Sequence, residues 1–199
     1  LLQFALIQHA LNILTNADKL SSIAQNASLD IAVTPFVPVI PPVMMKSAVM
    51  NRMARLHPLD ERYYLEKDDL VLVGSAEHTL GPMHMDHVFE EEDLPLRYIG
   101  YSSAFRREAG TYGKDTKGIL RLHQFDKLEM ETFVLPEHSI KEQDFIVAIQ
   151  EHLVQSLKLP YQVVAICTGD MGGPDQRQID IEIWMPGQDT YRETHTADL

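Results

Sequence analysis

Cysteine is nearly absent: the chain has one, Cys167. That count excludes an internal disulfide framework and a multi-cysteine zinc site, and it fits a reducing cytoplasm. Long apolar runs are missing as well. No stretch of about eighteen apolar residues occurs, so no transmembrane helix is expected. Residues 1–14 lack the basic leader and cleavage site of a signal peptide. Positive charge is in short supply, with 17 Lys and Arg against 29 Asp and Glu, a formal net charge of −12. This balance argues against a broad electrostatic grip on nucleic-acid phosphates, so any such contact is expected to be local or supplied elsewhere in a longer protein. Internal repeats, low-complexity tracts and heptad tracts are also missing.

What is present is an ordinary globular balance, 45% hydrophobic and 23% charged over 199 residues. That length suits one domain with a sizeable core. Both ends read as interrupted. Residue 1 is Leu, and the chain opens inside an apolar helical pattern (Leu1, Leu2, Phe4, Ala5, Ile7, Leu11) with no capping residue before it. It stops at Leu199 without a polar tail, so a piece of a longer protein is expected.

Residues 1–15 read as an amphipathic helix. A stretch of polar and small residues follows through about Leu29. The β-branched run Ile31–Pro42 carries Pro35, Pro38, Pro41 and Pro42, which allows an edge strand at best. Met44–Met53 reads as a short helix. Tyr63–Tyr64 and Leu70–Val73 read as strands joined by a turn at Lys67–Asp69. Leu96–Arg107 and Ile119–Phe133 read as the strands of a hairpin with a long glycine-containing loop, Ala109–Gly118. Ser139 and Glu142 have the spacing of a capping box. After them Phe145, Ile149, Leu153 and Leu157 recur at helical spacing. Tyr161–Cys167, Gln178–Met185 and Tyr191–Thr196 complete the strands. The class is α+β: an antiparallel sheet flanked by helices.

Side chains alternate between the faces of a strand. From Leu120 to Phe133 one face collects Leu120, Leu122, Leu128 and Met130; the other collects Arg121, His123, Phe125, Lys127 and Glu129. On the preceding strand Arg106 and Glu108 share a face. Such residues can form solvated pairs across strands. They can equally form a site for an anion bearing a flat ring, with arginine gripping phosphate or carboxylate through two parallel hydrogen bonds and Phe125 offering a stacking surface.

The wording of the hairpin favours a site. Phe105-Arg106-Arg107-Glu108-Ala109-Gly110, then Gly113-Lys114-Asp115-Thr116-Lys117-Gly118, then Arg121-Leu122-His123-Gln124-Phe125-Asp126-Lys127-Leu128-Glu129 closely resembles motif 2 of the seryl-tRNA synthetases. The resemblance extends over nearly the whole chain. Phe36–Pro42 is similar to the end of motif 1, Gly74-Ser75-Ala76-Glu77 to the serine-binding turn, and Glu91–Leu96 to the approach to motif 2. Cys167–Asp170 and Asp180–Trp184 are similar to later strands, and Tyr191–Thr196 to the metal and ATP strand.

The resemblance implies a class II synthetase catalytic core, residues 1–199 forming a single, truncated catalytic domain. The implied activity is a serine–tRNA ligase: serine attacks the α-phosphorus of ATP, pyrophosphate leaves, and the seryl group passes to tRNA(Ser) in the intact protein. ATP and Mg²⁺ are implied, as are a homodimer and a cytoplasmic location, with no membrane association. Arg106, Arg121 and Glu193 are the implied catalytic residues. Arg106 bridges the serine carboxylate and α-phosphate, Glu108 reads the adenine amino group, Phe125 stacks on adenine, and Arg121 meets the outer phosphates. Arg107, Leu122, Thr194, His195 and Thr196 complete the implied ATP set. Glu193 and Thr196 are the implied metal ligands. Serine falls to Ser75, Ala76, Glu77, Arg106 and Glu129.

Ser75 and Thr196 depart from the commoner residues but keep a hydroxyl, and Arg107 adds a charge with no assigned role. The family also has a coiled-coil arm and a motif 3, neither legible here, so the chain alone is expected to aminoacylate poorly. The competing expectation is an incomplete or non-catalytic relative that keeps nucleotide binding or dimerisation. Weaker signals read as structural: His84 and His87 as exposed histidines, Cys167 as a buried strand thiol, the Gly169–Gly173 run as a loop, and Glu90–Asp93 as a solvated acidic run.

Overall fold

A computed structural model describes residues 1–108 and 118–199. The expected hairpin loop lies, except for Gly118, outside the described residues. The chain divides into two compact units. One comprises Leu1–Pro35, Glu91–Leu96 and Thr132–Leu199; the other comprises Phe36–Glu90 and Arg97–Glu131.

The first unit opens with helix α1, Leu2–Leu14, which buries Ala10, Ile13 and Leu14. Helix α2, Ala17–Asn26, follows where a polar stretch was expected. Its start is set by Asn16, whose side chain accepts the Lys19 N–H at 3.0 Å. Leu20, Ile23 and Ala24, spaced one helical turn apart, form its buried stripe. The long helix α5, Ser139–Ser156, begins at the expected residue but without a capping box. A 3₁₀ turn at Pro136–His138 leads into it, so Ser139 is already helical and its hydroxyl donates to Pro136 O at 2.7 Å. Phe145 and Ile149 are fully buried, as their spacing predicts.

Three antiparallel strands complete this unit: β7 (Tyr161–Ala165), β8 (Gln178–Met185) and β9 (Thr190–Asp198), with β8 central. Ile179, Ile181 and Ile183 alternate along β8 and form a core with Val147 and Val154 of α5 and Ala197 of β9. β7 stops before Cys167. That thiol is exposed, not buried, and sits in a turn 3.2 Å from Asp170 Oδ2.

The second unit holds two small sheets. In one, β1 (Val37–Val39) runs parallel to β5 (Leu96–Phe105), with Val37 opposite Tyr98 and Val39 opposite Gly100. β1 is an edge strand of this sheet, as the prolines require. β6 (Gln124–Phe133) lies on the other side of β5. Arg106 N–H donates to His123 O, and the Tyr101 and Ser103 hydroxyls both reach Asp126, so β5 and β6 run antiparallel. In the other sheet β4 (Leu70–Leu72) lies between β2 (Met44–Lys46) and β3 (Tyr64–Leu65), all antiparallel. The segment read as one helix from Met44 is therefore a strand followed by the helix α3, Ser47–Arg52. Met45 and Met50 pack with Val71 and Val73 beneath it. Among the described residues, no helix is long and apolar enough to cross a membrane.

Candidate active site

In the second unit the expected residues gather around one turn. β4 leads through Val73 and Gly74 into Ser75-Ala76-Glu77, and helix α4, Glu77–Leu80, follows at once. The end of β5 is stitched to this turn: Phe105 N–H donates to Val73 O at 2.8 Å, and Arg106 Nε donates to Gly74 O at 3.2 Å. That places the Arg106 guanidinium beside the turn, with its carbon 5.4 Å from the centre of the Phe125 ring.

Strand alternation brings Phe125, Lys127, Glu129 and Glu131 of β6 to one face. The Ser75 hydroxyl, 3% exposed, donates to Glu129 Oε2 at 2.5 Å and accepts from the Glu77 N–H at 3.3 Å. Lys127 Nζ lies 2.7 Å from the same Glu129 oxygen and 3.3 Å from Ser75 Oγ. Glu77 is paired with Arg55 at 3.0 Å. Ala76 is fully buried against the Gly100 backbone, so only its main chain can serve a ligand. Glu108 has a left-handed backbone, φ 53°, and holds Arg121 at 2.8 Å. Arg107 is exposed, its N–H bonded to Glu61 O, and Leu122 is exposed as well.

Two groups at the turn have strongly displaced protonation. Burial, and after it the nearby Arg62, Arg55, Lys127 and Arg106 charges, lowers the His78 imidazole to about 3. Burial, with Glu77 and Glu129 close by, raises the Glu131 carboxyl to about 8. Sequence reading assigned no role to His78, Glu131, Arg55 or Lys127. For Lys127 and Glu131 a signal existed, since both share the alternation of Glu129. For Arg55 none did, because only the fold brings it to the turn; His78 directly follows the turn, but a lone histidine there carries no mark of its role.

In the first unit the remaining residues lie on β9. Glu193 pairs with Glu182, but the next pair is His195 with Ile181, which leaves Thr194 as a one-residue bulge. In a regular strand, residues three apart face opposite sides. The bulge moves Glu193 and Thr196 onto one face, away from the isoleucine core. Thr196 Oγ1 donates to Asp180 Oδ1 at 2.6 Å, and Asp180 is buried. Thr194 Oγ1 donates to Ile181 O at 3.2 Å and lies 2.9 Å from His195 Nδ1. Burial lowers the His195 pKa. Asp180 and Glu182, alternating with Ile179, Ile181 and Ile183, share the Glu193 face; that alternation was legible but went unused.

Among the described residues, no group of three or more His, Cys, Asp or Glu side chains could hold a metal ion. The oxygen donors on β9 suit a cation that takes one or two protein ligands and completes its shell with water and phosphate, as Mg²⁺ does. His84 and His87 belong to an aromatic cluster: His84 lies 5.0 Å from the Phe89 ring, with Nε2 2.9 Å from the Tyr98 hydroxyl.

Chemically, Glu129 and Ser75 can hold an ammonium or a hydroxyl, and Arg106 can hold a carboxylate or phosphate. The comparisons with known proteins point the same way. Residues 62–199 match the family described as tRNA synthetase class II core domain (G, H, P, S and T). The chain is 44% identical over 155 residues to a serine–tRNA ligase of Corynebacterium diphtheriae, covering 77% of this chain and 37% of that protein. It is 45% identical over 163 residues to the Pyrococcus horikoshii serine–tRNA ligase, covering 81% of this chain and 36% of that protein. The crystal structure of seryl-tRNA synthetase from Pyrococcus horikoshii complexed with ATP superposes with a TM-score of 0.78 at 41% identity, over 94% of this chain and 41% of that one. The cytoplasmic serine–tRNA ligase of Naegleria fowleri in complex with AMP gives 0.79 at 30% identity, over 98% and 44%. The chain thus spans little more than a third of the length of the two curated relatives.

Proposed function

The chain belongs to the class II tRNA synthetase core family, and from that premise we propose that it is the catalytic-domain portion of an ATP-dependent serine–tRNA ligase. The observation that carries the serine assignment is the Ser75–Glu129 hydrogen bond at 2.5 Å, set beside an arginine bonded to the same turn. Glu129 and Ser75 receive the serine ammonium and hydroxyl. A half-buried carboxylate selects for serine, because alanine would bring no hydroxyl for its further acceptor capacity. Arg106 holds the serine carboxylate against the α-phosphate, so that attack and departure of pyrophosphate proceed from one aligned geometry. Glu108 reads the adenine amino group, Phe125 stacks on the base, and Arg121 meets the outer phosphates.

Arg121 and Glu108 pair with each other in the structure, so on this reading nucleotide entry exchanges that pair for contacts to ATP. In the first unit Glu193 and Thr196 would hold a magnesium ion, which when bound supplies charge neutralisation for the phosphates. The protein supplies no covalent catalysis; its residues position the reactants and stabilise developing charge.

The seryl group then passes to tRNA(Ser), the whole protein acting in the cytoplasm as a homodimer. The exposed Val37 and Ile40, on the segment that resembles motif 1, support the dimer. The test is serine-dependent ATP–pyrophosphate exchange by the longer protein that carries this chain. Exchange with serine and not with alanine or glycine is expected. No exchange, together with no added thermal stabilisation by serine in the presence of ATP, would overturn the reading.

A further inference from the structure

We propose that His78 is a positioning residue of this activation site, its ring acceptor fixing the Gly74 backbone so that the Gly74 carbonyl orients the Arg106 guanidinium. The inference rests on the reading of the site given above. His78 is 5% exposed and lies in the first turn of α4. Its Nδ1 accepts the Gly74 N–H at 3.1 Å, which assigns the ring proton to Nε2. The Gly74 carbonyl accepts Arg106 Nε at 3.2 Å. The N–H and the carbonyl belong to different peptide planes on either side of one Cα. Two hydrogen bonds, one from the helix that follows the turn and one from the distant end of β5, therefore fix both planes of the residue with the freest backbone in the turn.

The consequence reaches both ligand contacts. Ser75 follows directly, with its hydroxyl on Glu129. Arg106, 32 residues away in sequence, is exposed and takes its bearing from Gly74 O and the Phe125 face. An imidazolium at position 78 would donate from both nitrogens and lose the acceptor that Gly74 needs. Burial, with the Arg62, Arg55, Lys127 and Arg106 charges nearby, keeps the ring neutral. The packing around Gly74 does not by itself impose the geometry: a Cβ there would stand 3.4 Å from both Arg62 Nη1 and His78 Cε1, an ordinary contact.

The test uses the chain labelled for NMR and a non-hydrolysable sulfamoyl analogue of seryl-adenylate. In the wild type, the His78 ring should show an unprotonated Nδ1 that does not titrate between about pH 5 and pH 8. Asn carries its amide oxygen near the place of Nδ1, Gln carries it near Nε2, and Phe carries no acceptor. His78→Asn should keep the slow exchange of the Gly74 amide, the Arg106 Nε–H signal and the analogue affinity. His78→Gln and His78→Phe should speed Gly74 exchange, shift the Arg106 signal and weaken the analogue about tenfold.

If the Phe variant does not fold, the Asn–Gln pair carries the comparison. Unchanged Gly74 exchange and Arg106 signal in the Gln variant, or equal losses in Asn and Gln, would overturn the proposal. A wild-type chain that binds no analogue would instead sink the serine-activation reading, while the Gly74 and Arg106 signals still decide what His78 holds.

Discussion

Replacing Glu131 with glutamine should remove most of the alkaline loss of stability. The glutamine keeps the shape and polarity of the side chain and abolishes its titration. In the folded chain the carboxyl is raised from an ordinary 4.5 to about 8, first by burial and then by Glu77 and Glu129. Between those values the folded state keeps a proton that the unfolded state has released. The contribution is therefore fully present below about pH 4.5 and is lost as pH rises through about 8. Each pH unit inside the window costs at most ~1.4 kcal/mol. From about pH 6.5 to about pH 8.5 the wild type should lose roughly 2 kcal/mol that the variant keeps. The interval lies at and above the ordinary histidine range, so His78, lowered to about 3, adds little there. Urea unfolding of both proteins at the two pH values measures the difference directly. Parallel losses in wild type and variant would refute the assignment of a protonated carboxyl to this site.

Three further outcomes are expected. Gly100→Ala would put a Cβ 2.6 Å from Leu80 Cδ1 and 3.2 Å from Ala76 Cβ. It should destabilise by about 1–3 kcal/mol, and trimming Leu80 to alanine in the same chain should recover part of the loss in a melting experiment. Ser75→Ala removes the hydroxyl that Glu129 accepts from; it should cost roughly 1 kcal/mol of stability and abolish serine-dependent stabilisation while sparing that by ATP alone, both read as shifts in Tm. Glu193→Gln should leave the fold intact and raise the magnesium concentration needed for nucleotide binding about tenfold, measured by titration at fixed ATP.

Much of the fold was legible because its periodicities are strong. The isoleucines of β8 and the turn at Lys67–Asp69 announced their elements, and Ser139 marked the start of α5. Helix α2 was missed because only Leu20, Ile23 and Ala24 carry its stripe among polar, weakly helix-favouring residues. The Met44–Met53 segment was read as one helix because a three-residue strand is too short for alternation to outweigh a methionine-rich run. In the site, alternation placed Phe125, Lys127 and Glu129 on one face, and the structure puts Ser75 against Glu129. The contributions of His78 and Arg55 were not legible. Arg55 meets the turn only through tertiary packing, His78 stands directly after it, and a lone histidine or arginine carries no local mark of its role. The relation of Glu193 to Thr196 was hidden for another reason: strict alternation sets them on opposite faces, and a bulge leaves no signature in these residue types.

That bulge makes β9 a strand with a frame shift. Upstream of Thr194 the outward positions are Tyr191 and Glu193; downstream they are Thr196 and Asp198. A designer working here cannot treat residues as interchangeable by parity. Deleting Thr194 would remove the extra residue and restore a single reading phase, with His195 following Glu193 directly and still opposite Ile181. Tyr191, Glu193, Thr196 and Asp198 would all keep the face turned away from the isoleucines. At the bulge, β9 can therefore lose one residue without exchanging core for surface, which a regular strand cannot do.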